Sequence, residues 1–144
     1  MEDFSMNAEY RTGHELIDAQ HLKVLVGLSQ LYGELLRGKT KEELYGTVEN
    51  LEALLKLHFF TEEAMLETLG CSGMDEMVAH DAVFLRHLQQ VFSDYGENST
   101  TETVDGLLFL KSWFVEHVRH VHKRCVQYAN GIERMVGLRL DGTN

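Results

Sequence analysis

The sequence predicts an all-α protein, an antiparallel up-down-up-down four-helix bundle with an N-terminal arm. The chain of 144 residues contains no proline, and 44% of its residues are hydrophobic. Apolar residues recur at helical spacing in four long segments. The connections between these segments have only about two to five residues, so neighbouring helices must run antiparallel. A chain of this length typically forms one domain.

The first two helical segments are bounded by residues that favour helix ends. The first, "LIDAQHLKVLVGLSQLYGELLRG", ends at Gly38, and glycine commonly follows the last turn of a helix. Thr40 and Glu43 have the spacing of a capping box at the start of the second segment. Gly70 is expected to end that helix.

The third and fourth segments carry similar signals. Ser72 is expected to cap the third helix, with Asp75 three residues later in its first turn. Ser99 and Glu102 form a second predicted capping box, at the start of the fourth helix. Gly131 is the predicted end of the fourth helix.

The domain organisation follows from these segments. Residues 1–136 are expected to form the folded domain, with the arm in residues 1–16 and the bundle in residues 17–136. Residues 137–144, "GLRLDGTN", are expected to be a loose polar tail, such as a linker to a C-terminal output domain in a longer protein.

Charge and composition argue against several functional classes. A formal net charge of −10 disfavours binding to nucleic acid or to an anionic membrane surface. The N-terminus lacks the basic and apolar regions of a signal peptide, and no apolar run has the roughly 18–20 residues that span a bilayer. Cys71 and Cys125 are expected to be free thiols, which favours a cytoplasmic location.

Histidine is the most informative residue type in this chain. Each of the four predicted helices carries at least one of the eight histidines. His58 and Glu62 are four residues apart, as are Glu76 and His80, so each pair shares a helix face. An imidazole and a carboxylate one turn apart can bind metal ions held between helices. This pattern predicts a metal site inside the bundle.

Three stretches, "YRTGHELIDAQH" (10–21), "HFFTEEAM" (58–65) and "FLKSWFVEHV" (109–118), resemble the bacterial hemerythrins in order and spacing. The resemblance extends over nearly the whole chain. It implies a four-helix bundle that holds two non-haem iron ions joined by an oxo or hydroxo bridge. Hemerythrins bind O2 reversibly or use it as a signal.

The resemblance also implies a ligand set. The family has a histidine in the first helix, His-x-x-x-Glu in the second, His-x-x-x-His in the third and His-x-x-x-x-Asp in the fourth. His21, His58, Glu62 and His117 match this pattern directly. The chain departs from it at His122, which stands where the family has a bridging aspartate. On a helix His117 and His122 point about 140° apart, so they could hold a metal pair from two sides.

The third helix lacks the His-x-x-x-His motif and allows two alignments. If the preceding loop is one residue shorter than usual, Glu76 and His80 occupy the ligand positions. This alignment is preferred because it keeps five histidines and two carboxylates. A gap-free count instead places Met77 and Asp81 there, with Phe84 where the family often has a phenylalanine. The predicted metal ligands are therefore His21, His58, Glu62, Glu76, His80, His117 and His122.

We expect an O2- or redox-responsive di-iron protein whose small-molecule partner is O2, with NO and peroxide as further ligands to consider. The predicted exchange of a bridging carboxylate for the imidazole of His122 makes rapid autoxidation plausible, as in a sensor. Two other functions stay open. One is a di-iron redox enzyme, such as a peroxidase or an NO-handling protein, and the other is a metal-free helical interaction module.

Overall fold

The computed structural model describes residues 11–96 and 100–136, and in the last helix it describes the side chains of residues 101–121 and 123. It confirms the predicted all-α four-helix bundle, in which each helix packs against two others. The helices are α1 (Glu15–Leu36), α2 (Lys41–Thr68), α3 (Met74–Asp94) and α4 (Thr100–Val136). Most of the predicted arm, residues 1–10, and the predicted tail, residues 137–144, lie outside the described residues. Within the described ranges, no helix is both apolar and long enough to cross a membrane.

Contacts between neighbouring helices show that they run antiparallel. Gln20, near the start of α1, donates a hydrogen bond to Thr61, near the end of α2, over 3.3 Å. Lys41, the first residue of α2, donates to the carbonyl of Ser93 at the end of α3 over 2.8 Å. The beginning of each of these helices therefore lies beside the end of the next one.

The ends of the first two helices follow the sequence signals. Thr40 and Glu43 form the predicted capping box, in which each side chain bonds the backbone of the other residue. Gly38 and Gly70 have φ angles of 74° and 75°, a left-handed conformation that glycine adopts without steric cost. These two glycines therefore end α1 and α2 as predicted.

Three signals in the second half of the chain have other outcomes. The N-cap of α3 is Gly73, one residue after the predicted Ser72, and Gly73 has no side chain with which to cap the helix. Helix α4 continues through Gly131 to Val136, because a glycine inside a helix costs only about 1 kcal/mol and helix-forming residues follow it. Ser99, the first half of the predicted capping box of α4, lies outside the described residues.

The core is apolar above and below one polar layer. The polar layer contains four buried residues, one or two from each of α1, α2 and α3: His21, His58, Glu62 and Asp81. One helical turn away, toward the start of α1, lies a small apolar cluster: Leu66, Cys71, Met77 and Val121. On the other side the main core begins with Val24, Leu55, Phe59, Phe84 and Phe114. The polar layer thus lies between two layers of hydrophobic side chains.

Candidate metal centre

The carboxylate of Glu62 is the centre of the polar layer, and three imidazoles surround it. Its Oε2 lies 2.8 Å from Nε2 of His21. Its Oε1 lies 2.7 Å from Nε2 of His58 and 2.7 Å from Nε2 of His117. These donor atoms, one per residue, all lie within 4.8 Å of one another. Three nitrogen atoms and a carboxylate gathered in this way could bind a metal ion.

Three helices position these side chains. His58 and Glu62 are one turn apart on the inner face of α2, and His21 faces them from α1. His117 completes the group from α4, where its side chain is only 7% exposed. The apolar residues around each of them on the same helix face fix that face toward the core. Four of the seven predicted ligands are therefore brought together.

The structure orients α3 differently from the preferred alignment. Glu76 and His80 are exposed, whereas Met77 and Asp81 are buried. The physical reason is the apolar stripe of α3, in which Met77 and Phe84 are seven residues apart and face the core together. This stripe rotates α3 so that Asp81, one turn from Met77, faces the site. These are the residues of the gap-free count, and the side chain of His122 lies outside the described residues.

Asp81 is the carboxylate that α3 brings closest to the cluster. Its Oδ1 lies 3.8 Å from Nδ1 of His117. It is 2% exposed, and neither of its carboxylate oxygens has a hydrogen-bond partner among the described residues. Burial, followed by the carboxylates of Glu63 and Glu62, raises the pKa of Asp81 to about 9. A buried carboxyl group is costly unless it is well hydrogen-bonded or bound to a cation, and a bound metal ion would satisfy it.

The imidazoles keep Glu62 ionised in spite of its burial. Burial favours the neutral acid, but His117 and, to a lesser extent, His21 hold the pKa of Glu62 well below its usual range. Burial also lowers the pKa of His58, although the charge of Glu62 acts in the opposite direction. A neutral imidazole and an ionised carboxylate are the forms that bind metals.

Two ring nitrogens lack a satisfactory partner. Nδ1 of His21 and Nε2 of His58 are buried and make no hydrogen bond within the part of the chain that the structure describes. The Nε2 atom of His58 is close to Glu62, so its missing bond reflects orientation and not distance. Buried ring nitrogens without a hydrogen-bond partner are available to bind a metal ion.

Aromatic side chains pack against the imidazoles of the cluster. The Phe114 ring centre lies 5.7 Å from those of His21 and His58. The Trp113 ring stacks on His117, with an angle of 9° and 5.5 Å between centres. Together with Phe59 these rings restrict water around the imidazoles.

A cavity of about 610 Å³ lies between α3 and α4 beside the cluster. Its lining includes Asp81, Trp113 and His117 from the site, together with the exposed Glu76 and His80. The two residues assigned as ligands in the preferred alignment therefore lie at the entrance to the site. A small molecule could reach Asp81 and His117 through this cavity.

Gln20 is a site residue that the sequence analysis missed. Its side chain reaches from α1 to His58 and Thr61 on α2. A glutamine beside a predicted ligand gives no specific signal, because only the packing of two helices places it next to another ligand.

No known protein family, curated protein or solved structure shows a significant match to this chain. The function is therefore inferred from the geometry of the site.

Proposed function

We propose that this protein is a hemerythrin-like non-haem iron protein, which binds O2 or senses O2 or redox state at a dinuclear site in the bundle. The observation that carries the proposal is the buried Glu62 carboxylate surrounded by three imidazole nitrogens. The resemblance of the sequence to the bacterial hemerythrins supports the choice of iron. Imidazole and carboxylate donors are also a combination that suits iron.

Glu62 is arranged as a bridging ligand would be. One of its oxygens faces His21, and the other faces His58 and His117. Asp81 adds a second carboxylate on the side of His117. His21, His58, Glu62, His117 and Asp81 would together hold the two iron ions. Bound iron would supply one-electron redox chemistry and affinity for O2.

The protein itself contributes exclusion of water and a route of access. Phe114 and Phe59 cover the imidazoles on the core side, while the cavity between α3 and α4 leads to Asp81 and His117. A small neutral molecule such as O2 could enter by this route. The same cavity favours one alternative, a di-iron redox enzyme that reduces peroxide or handles NO, since a substrate could also reach the site there.

The test is metal analysis of the full chain after anaerobic reconstitution with Fe²⁺, followed by absorption spectra before and after air is admitted. We expect about two iron ions per chain and a new visible band on exposure to air. A content of one iron ion per chain would indicate a mononuclear site and would contradict the dinuclear proposal. No bound iron would overturn the proposal and favour the metal-free interaction module.

Matched variants connect the result to the site. His21→Ala should lose iron, whereas His87→Ala, which changes an exposed histidine of α3, should retain it. Equal loss in both variants would mean that the iron is bound outside the bundle. Multiple turnover of peroxide or NO with a reductant would identify the enzyme alternative.

A further inference from the structure

Gln20 connects the first two helices at the level of the candidate metal centre. It immediately precedes His21 on α1, and its side chain is partly buried against α2. Its Oε1 lies 3.1 Å from Nδ1 of His58, and its Nε2 lies 3.3 Å from Oγ1 of Thr61. One amide thus contacts a predicted ligand on one side and a hydroxyl on the other.

A hydrogen bond from Thr61 to a backbone carbonyl determines the direction of these hydrogen bonds. Thr61 donates its only hydroxyl proton to the carbonyl of Leu57 over 2.8 Å, so its oxygen can only accept from Gln20. The amide NH2 of Gln20 must therefore face Thr61, which leaves its carbonyl oxygen facing His58. A carbonyl oxygen accepts hydrogen bonds, so Nδ1 of His58 must carry a proton.

We propose that Gln20 is a positioning residue that holds His58 as the tautomer protonated at Nδ1, with the Nε2 lone pair directed into the metal centre. The partner of one ring nitrogen decides which nitrogen is free to bind a metal. Nε2 of His58 lies 2.7 Å from Oε1 of Glu62, so the nitrogen left unprotonated by this assignment is the one at the candidate metal centre. The metal-binding part of this inference rests on the proposed function, but the tautomer does not.

His21 provides the contrast within the same site. Its Nε2 makes a hydrogen bond of 2.8 Å with Glu62, and its Nδ1 has no partner in the described part of the chain. Nothing comparable to Gln20 fixes the His21 ring through its second nitrogen. In the metal-free protein, His21 should therefore be protonated at Nε2 and His58 at Nδ1.

The first experiment measures the imidazole ¹⁵N shifts of His58 in the metal-free full chain near pH 8. We expect the Nδ1–H tautomer in the wild type. Gln20→Met, which keeps the size of the side chain but removes the acceptor, should shift His58 toward Nε2–H. Gln20→Glu, which retains an acceptor, should preserve the wild-type tautomer. Protonation of His58 at Nε2 in the wild type, or no change in Gln20→Met, would overturn the proposal.

The second experiment measures Fe²⁺ and Zn²⁺ affinity anaerobically. Gln20→Met should bind each ion about 10- to 100-fold more weakly than the wild type, and Gln20→Glu should restore most of the affinity. Gln89→Met, at an exposed position of α3, is the matched control and should bind normally. Unchanged affinity in Gln20→Met would refute the role of Gln20 in metal binding. A wild type that binds neither ion would refute the proposed function, while the ¹⁵N result would still decide the tautomer.

Discussion

Nε2 of His58 lies 2.7 Å from Oε1 of Glu62, one turn along the same helix, yet the two atoms make no hydrogen bond. With Nδ1 of His58 occupied by Gln20, this contact brings an imidazole lone pair close to an ionised carboxylate. Two electron-rich atoms at that distance repel each other unless a cation lies between them. A bound metal ion would remove this repulsion and satisfy both ligands.

The first prediction concerns Glu62. Glu62→Gln should weaken Fe²⁺ binding by at least about 100-fold, because the central anionic ligand is replaced by a neutral amide. Anaerobic titration with Fe²⁺ measures this effect. Glu67→Gln changes an exposed acid on the same helix and should bind iron normally. Wild-type affinity in Glu62→Gln would show that the metal does not bind at the buried cluster.

The second prediction distinguishes the two alignments of α3. Asp81→Asn should reduce the amount of bound iron, because Asp81 is buried beside His117. Glu76→Gln should retain iron, because the side chain of Glu76 is exposed at the mouth of the cavity. Iron content and the spectrum of the oxidised protein check both variants. Loss of iron in Glu76→Gln together with normal iron in Asp81→Asn would show that Glu76, and not Asp81, is a ligand.

The third prediction is a pH dependence of the metal-free protein at alkaline pH. The pKa of Asp81 is raised from 3.8 to about 9, so the folded state holds a proton that the unfolded state has lost. The free energy of unfolding should therefore decrease from pH 7 to 8.5, by at most about 1.4 kcal/mol per pH unit from this group. Urea titrations measure the slope. Asp81→Asn should flatten it, and an equal slope in the variant would contradict the assignment.

The fourth prediction applies to acid. The pKa values of Glu62 and His58 in the folded protein lie below their ordinary values of 4.5 and 6.5. The unfolded chain therefore takes up protons first at these two groups. In Asp81→Asn, which lacks the opposite contribution of Asp81, the free energy of unfolding should fall as the pH drops below 6.5 and again below 4.5. Thermal melts of the metal-free protein at a series of pH values test this. Added Zn²⁺ should reduce the loss near pH 6, since a bound metal competes with protons.

The fifth prediction tests the packing between α1 and α2, which places Gln20 beside His58. A Cβ atom at Gly27 would lie 2.9 Å from Cδ1 of Leu51, a core residue that is 1% exposed. Gly27→Ala should therefore destabilise the protein by about 1–2 kcal/mol, in spite of its better helix propensity. Gly46→Ala adds a methyl group in open space on α2 and should stabilise the protein by about 0.5–1 kcal/mol. Denaturant unfolding compares the two, and a stabilised Gly27→Ala would show that the Leu51 side chain can move aside at little cost.

The sequence by itself determined the bundle and much of its site. Helical periodicity, absent proline and short connections are local properties, so they identified four antiparallel helices without tertiary information. The spacing of His58 and Glu62 placed both on one face of α2 for the same reason. The start of α2 at Thr40 was predictable, because the capping pattern is local. The predicted end of α4 at Gly131 was wrong, because a helix can continue past a glycine when helix-forming residues follow it.

Only the tertiary structure decided which side chains of α3 face the site. Glu76 with His80, and Met77 with Asp81, are both pairs one turn apart, and ligand counting favoured the first pair. Packing selects the second pair, because burying the apolar stripe of α3 fixes the rotation of the helix. The bond between Gln20 and His58 depends in the same way on contact between two helices, across 38 residues of sequence. Local sequence determines which face of a helix is apolar, but the distances between functional groups on different helices are set by how those faces pack.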